Sequence, residues 1–158
     1  PTSDAEREMW RREDHNAELV MSGKAGIVRP VSCLEALVFV PERETIVVVL
    51  RRTDAGRARL RIYVGTSDQM FPPKTVYGTA QAAVDVAAGW HLDTVLHNHT
   101  VQHRGDRLAL GMPTLSTADV SLFSGLAGEI GLASAWVTNG VYTAVVPASA
   151  FPLFLGRA

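Results

Sequence analysis

Apolar and polar positions change rhythm several times along this chain. From Ser3 to about Leu19 charge dominates (Asp4, Glu6, Arg7, Glu8, Arg11, Arg12, Glu13, Asp14, Glu18), while Met9 and Trp10 supply one apolar side. That pattern predicts an N-terminal surface helix over about 3–19. Ser22-Gly23-Lys24-Ala25-Gly26 then reads as a turn or short linker. Ala36 to Val40 and Thr45 to Leu50 are apolar, β-branched-rich runs separated by Pro41-Glu42-Arg43-Glu44. Such runs predict a hairpin whose strands are buried on both faces. Arg57 to Val64 alternates with a period of two. Ala58, Leu60, Ile62 and Val64 share one face and Arg57, Arg59, Arg61 and Tyr63 the other, which predicts a half-buried strand with a basic outer face.

A loop is expected around Phe71-Pro72-Pro73, and an Ala-rich helix from Thr79 to Trp90 that ends near Gly89. Asp93 to His99 returns to strand, Thr100 to Leu115 is polar and Gly-containing like a loop, and Thr117 to about Ile130 reads as a helix. Ala133 to Thr138 and Val141 to Val146 flank Asn139-Gly140, a strong two-residue hairpin signal. The apolar tail Phe151 to Leu155 is expected to dock on the core. Together these elements predict one α/β (α+β) domain over residues 1–158, a mixed β-sheet flanked by helices.

Composition narrows the classes. The 158 residues are 47% hydrophobic and 20% charged, which suits a soluble globular domain with an adequate core. A formal net charge of −1 gives no global attraction to nucleic acid or to an anionic membrane, so neither is an expected partner. No apolar run approaches the roughly 20 residues of a membrane span. Cys33 is the single cysteine, which excludes an internal disulfide and any Cys-rich metal site, and suits a reducing, cytoplasmic compartment.

Candidate chemistry concentrates in Thr94-Val95-Leu96-His97-Asn98-His99 and in Ser116-Thr117-Ala118-Asp119. On a strand, His97 and His99 project side by side, and two neutral imidazoles at that spacing suit one divalent cation. An Asp oxygen binds zinc at a length similar to an imidazole nitrogen, so Asp119 is a candidate third ligand, leaving a fourth tetrahedral position for water. Ser116 and Asp119 also form the pattern of a helix capping box, and the two readings are compatible. Two solvated histidines at a strand end are the bland alternative for His97 and His99.

In order and type, Glu35, then His97-Asn98-His99, then Ser116-Thr117-Ala118-Asp119 resembles the JAMM (MPN+) motif, across roughly residues 30 to 146. The RadC branch of that superfamily also has His-Asn-His behind an Ala-rich helix. The resemblance implies a JAB/MPN-like, cytidine-deaminase-like fold and a zinc peptidase or isopeptidase. Its substrate would be the amide bond after the C-terminal tail of a ubiquitin-like protein, with E1-like or E2-like pathway proteins as candidate partners. It makes His97, His99 and Asp119 the Zn2+ ligands, Glu35 the general base, and Ser116 the hydrogen-bond donor to the oxyanion. A RadC-like protein of DNA metabolism and a non-catalytic MPN interaction module are the alternative readings.

The chain departs from the family pattern at two places. Thr100 stands where the family has Pro, and the 16 residues from Thr100 to Leu115 form an insertion expected to be a mobile loop near the site, carrying His103 and Asp106. Glu42 and Glu44 are the competing carboxylates for the role of Glu35. The strand from Arg57 to Val64 is a candidate edge for an extended substrate tail.

Overall fold

A computed structural model describes residues 2–39, 43–67 and 78–157. Phe71 and the loop around it lie outside the described residues, as do Pro41 and the candidate base Glu42 of the turn expected at 41–44. The chain runs α1 (Asp4–Met21), β1 (Ile27–Pro30), α2 (Cys33–Val38), β2 (Glu44–Asp54), β3 (Arg57–Ser67) and α3 (Thr79–Ala87). It continues through β4 (His91–Asn98), β5 (Val101–Arg104), β6 (Arg107–Leu110), α4 (Thr117–Ile130), β7 (Ser134–Thr138) and β8 (Tyr142–Pro147), and ends in a short 3-10 helix at Ala148–Leu153. Six strands form one mixed sheet in the order β1-β8-β7-β4-β2-β3, and β5 and β6 form a separate two-stranded ribbon.

Within the main sheet β4 and β7 are parallel and every other pairing is antiparallel. A parallel pair needs a long crossover, and α4 with the β5–β6 ribbon occupies it. Ile46, Val48 and Leu50 from β2, Leu92 and Val95 from β4, Ala135 and Val137 from β7, and Ala144 and Val146 from β8 share one face. Val20 of α1, Ala82 of α3, and Val120, Phe123 and Leu126 of α4 pack against them in one continuous core with Phe151. Phe123 is fully buried there, and truncating such a side chain to alanine costs about 3–5 kcal/mol in transfer and cavity terms.

Three features correct the sequence reading. The apolar run after Glu35 does not open a strand: Cys33–Val38 is a short helix, and the edge strand is instead Ile27–Pro30, paired with β8. A brief apolar run without alternation cannot distinguish helix from strand by period, and here β1 already fills the sheet edge. Second, β3 faces the opposite way. Arg61 and Tyr63 reach Asp85 of α3 at 2.8 and 2.6 Å, with the Arg61 guanidinium 4.3 Å from the Trp90 ring centre, so these two lie against the helix side, while Arg57 and Arg59 are exposed. Leu60, Ile62 and Val64 point outward. Third, residues 100–115 are not a plain loop, because β5 and β6 pair throughout their length.

Helix α1 belongs to the core. Its buried Asn16 donates from Nδ2 to the carbonyls of Leu115 (3.1 Å) and Leu155 (2.9 Å), and its Oδ1 accepts from the Leu155 N–H at 2.8 Å. The Thr114 hydroxyl donates to the Asn16 carbonyl at 2.7 Å. One side chain thereby ties α1 to the C-terminal tail and to the segment that enters α4. Among the described residues, no helix is long and apolar enough to cross a membrane.

Candidate metal centre

His97 is the penultimate residue of β4, and His99 lies just beyond the strand, its N–H bonded to the Thr138 carbonyl at 2.8 Å. The extension of the strand by that bond keeps the two-residue periodicity, so the imidazoles stand together: His97 Nε2 and His99 Nε2 are 3.2 Å apart. Asp119 enters from across the crossover. Its Oδ2 lies 3.0 Å from His97 Nε2 and 2.9 Å from His99 Nε2.

The start of α4 aims that carboxylate. Ser116 is the N-cap, its Oγ accepting from the Asp119 N–H at 3.1 Å while Asp119 Oδ2 accepts from the Ser116 N–H at 2.9 Å. The capping box and the cluster are therefore one structure. It also leaves the Ser116 hydroxyl hydrogen free of the cap. One turn on, Phe123 lies against the His97 ring with centroids 5.2 Å apart. The His97 ring is thus held by packing, while its Nδ1 is buried without a hydrogen-bond partner among the described residues.

His99 is oriented by a polar contact instead. Its Nδ1 donates to the Met112 carbonyl at 2.8 Å, which in the neutral ring presents an unprotonated Nε2 to the cluster. That contact depends on a close return of the ribbon. The Gly111 N–H reaches the Thr100 carbonyl at 2.7 Å, and a Cβ on Gly111 would sit 2.4 Å from that oxygen and 2.7 Å from His99 Cβ. Only glycine fits without displacing His99.

Three donor atoms meeting this closely need a cation between them, whether a proton or a metal ion. In the metal-free chain, burial by itself would lower the His99 pKa, but the Asp119 hydrogen bond and charge outweigh it, with the Met112 carbonyl and Glu44 adding, and raise it to about 9. Burial would conversely raise Asp119, and the two histidines hold it well below the usual carboxylate range. Two imidazoles and a carboxylate oxygen with no cysteine match a three-ligand zinc set, and among the described residues only His97, His99 and Asp119 form such a group. The donor set therefore fits Zn2+. His103 and Asp106 stand apart from it, on the ribbon.

The sheet separates the two candidate bases. Glu35, with 0% of its surface exposed, pairs through Oε1 with Arg29 Nη1 at 2.6 Å. Arg29 sits opposite Thr143, Thr143 opposite Thr138, and the β4–β7 register places Thr138 opposite Asn98. Residues in register share a face, so Glu35 lies over the Asn98 face, and His97 points to the other. Burial would raise the Glu35 pKa, but Arg29 and Thr143 outweigh it and hold it below the ordinary value.

Glu44 lies on the ligand side. The register Ile46 to His97, continued by two residues, sets Glu44 opposite His99. Burial pushes its pKa up, opposed by His97 and His99 and reinforced by the negative Asp119, so its carboxyl feels all three candidate ligands. Glu13 of α1 stands near the same centre and is also raised by burial, against the pull of Arg104 and His99. The short motif spacing singles out neither, because each reaches the site only through the packing of a separate element.

Asn98, the residue between the histidines, also acquires a role. It points to the opposite face, where its Oδ1 accepts from the Thr45 N–H at 2.6 Å and its Nδ2 donates to the Arg43 carbonyl at 2.9 Å. The ribbon is docked on α1 by Gln102 to Glu13 (3.2 Å) and Arg104 to Asp14 (2.8 Å), with the Arg104 guanidinium 5.8 Å from the Trp10 ring centre. Comparison of the chain with family models, with curated proteins and with solved structures gave no match.

Proposed function

We propose that this chain is a zinc-dependent peptidase or isopeptidase of JAMM-like design, acting in the cytoplasm on the amide bond after the tail of a ubiquitin-like protein. The observation that carries the proposal is the convergence of His97 Nε2, His99 Nε2 and Asp119 Oδ2 within hydrogen-bonding distance of one another. The order of these residues along the chain and the capped helix beneath Asp119 support it. A non-catalytic interaction module would have no use for so buried a donor set.

His97, His99 and Asp119 would hold the zinc. When bound, the ion would supply Lewis acidity toward the scissile carbonyl and bring the pKa of its water to about 7. Glu44, rather than Glu35, takes the proton from the attacking water and returns it to the leaving amine. Its raised pKa makes it a stronger base toward the attacking water, and a carboxyl nearer neutrality keeps both protonation states accessible for the exchange. The Ser116 hydroxyl donates to the oxygen that becomes negative in the tetrahedral state. Asp14, Glu13, Gln102 and Arg104 hold the ribbon beside the ligands and thereby set one wall of the approach.

The test combines metal content with cleavage. Purified protein should contain about one zinc per chain and should cut ubiquitin-like fusion proteins directly after the tail, as read by mass spectrometry, with activity lost to a chelator and restored by zinc. Zinc bound with no cleavage of any tail fusion would reject the substrate class. Absence of zinc binding by the folded protein would reject the enzyme.

A further inference from the structure

Strand β3 ends the main sheet, and among the described residues it is paired only with β2. Its outer edge has a definite hydrogen-bonding phase. The β2–β3 hairpin turns through Ala55 and Gly56, both at positive φ (50° and 78°), so Asp54 and Arg57 close a two-residue turn. The closing pair of such a turn exchanges both its backbone bonds, and pairs alternate from there. Arg57, Arg59, Arg61 and Tyr63 therefore spend their N–H and C=O groups on β2. Ala58, Leu60, Ile62, Val64 and Thr66 direct theirs outward.

The same outward-bonding residues carry the exposed apolar side chains. Leu60, Ile62 and Val64 are 56%, 55% and 61% exposed on the face away from α3 and α4. An unpaired strand edge lined by branched apolar side chains is a template for another strand. Natural edges are blunted by charge; here Arg61 is held against α3 by Asp85 and Trp90, and Arg59 is paired with Asp54.

We infer that β3 is the dimer interface of this protein, two copies pairing their β3 strands antiparallel about a two-fold axis at Ile62. This register follows from charge. With the axis at Ile62, all of Arg57–Ser67 is paired: Ile62 lies opposite its own copy, Leu60 opposite Val64, and Ala58 opposite Thr66. On the other face Arg61 meets Tyr63, Arg59 meets Gly65, and Arg57 meets Ser67. No arginine faces an arginine. Moving the axis to Arg61 sets two guanidinium groups against each other, and moving it to Leu60 sets Arg59 against Arg61, both repulsive. Moving it to Tyr63 leaves two fewer residues paired within Arg57–Ser67. The outward N–H and C=O groups meet their counterparts in the Ile62 register, and the apolar pairs Ile62–Ile62 and Leu60–Val64 form a continuous row across the seam. An isologous contact of this kind closes on itself and stops at two copies, joining the sheets of both into one.

A substrate tail is the competing occupant of this edge. It is disfavoured because β3 lies two strands from β4, roughly 10 Å from the strand that carries His97. The experiment is sedimentation of the full chain over a wide concentration range, with Ile62→Lys and a Cys33→Ser, Ile62→Cys variant. The wild type is expected to approach about 34 kDa, twice the 17.1 kDa chain, while Ile62→Lys stays monomeric with an unchanged circular dichroism spectrum. Ile62 is exposed in the single chain, so lysine there leaves the fold intact. In the Cys33→Ser background, a short bifunctional thiol reagent should join two copies through Ile62→Cys, whereas Val84→Cys, equally exposed on α3, should not react across copies. A wild type that stays monomeric, or a dimer that survives Ile62→Lys, would overturn the inference. A dimer cross-linked through Val84→Cys but not Ile62→Cys would do the same.

Discussion

Asn98 holds both peptide groups that flank Glu44. Its amide oxygen accepts from Thr45 N–H at 2.6 Å and its amide nitrogen donates to the Arg43 carbonyl at 2.9 Å, so one side chain of β4 fixes the backbone on either side of a carboxylate of β2. The histidines on each side of Asn98 point to the candidate metal, and Asn98 itself points away from it. The His-Asn-His segment thus serves both faces of the sheet, with the candidate metal ligands on one and the clamp on the backbone around Glu44 on the other.

The first prediction tests that division of labour. Glu44→Gln should keep its zinc and its fold but lose turnover by about 10²–10⁴-fold, the range expected on removing a general base. Glu35→Gln should leave turnover far less affected and lower stability, because it breaks the buried pair with Arg29. Asn98→Ala should retain zinc and lower kcat more than it raises KM. Steady-state kinetics beside metal analysis decide the matter, and an inactive, stable Glu35→Gln with an active Glu44→Gln would reverse the assignment.

The second concerns protons and metal. His99 must lose its proton before Nε2 can bind a cation, and its pKa in the metal-free chain is raised to about 9. Below that value zinc displaces a proton, so apparent affinity should rise about tenfold per pH unit between neutrality and about pH 9 and level off above it. Titration calorimetry in buffers of different ionisation enthalpy should detect about one proton released per zinc near pH 7.5. His97→Ala and Asp119→Ala should each lose most of the metal. A pH-independent affinity over this range would show that His99 is not a ligand.

The ribbon supplies a third. Its ends already meet at the Gly111 to Thr100 hydrogen bond of 2.7 Å, so excision of residues 101–110 leaves a gap the chain can close. The shortened protein should fold and bind zinc, yet discriminate less between substrates, since the wall beside the ligands is gone. Gly111→Ala should do the opposite, weakening zinc binding through displacement of His99. Zinc titration of the two variants separates these effects, and equal loss of metal in both would contradict them.

A fourth addresses the frame around the site. Asn16→Ala removes one buried and two part-buried hydrogen bonds and strands backbone groups of Leu115 and Leu155, which should cost about 2–4 kcal/mol in denaturant unfolding. Because Leu115 precedes the cap of α4, the same variant should weaken zinc binding. Unchanged stability would mean that α1 is not part of the cooperative core.

Local pattern in the sequence determined much of this molecule. The helix at Thr117–Ile130 is legible because its start carries its own cap, and the β7–β8 hairpin because Gly140 marks its turn, although Thr138 pairs with Thr143, so the loop is longer than the two residues Asn139-Gly140. The three donors are legible for the same reason: two lie two residues apart on a strand, and the third is the third residue of a capped helix. Only tertiary structure decided the rest. A run such as Ala36-Leu37-Val38-Phe39 has no period that separates helix from strand, so its state depended on β1 occupying the edge beside β8. The alternation of Arg57 to Val64 gave two faces without saying which is inner; Asp85 and Trp90, more than twenty residues downstream, drew Arg61 and Tyr63 to the helix side. The choice between Glu35 and Glu44 turned on the sheet face each one meets. A face is set by register between strands distant in the chain, and register is a property of the assembled sheet.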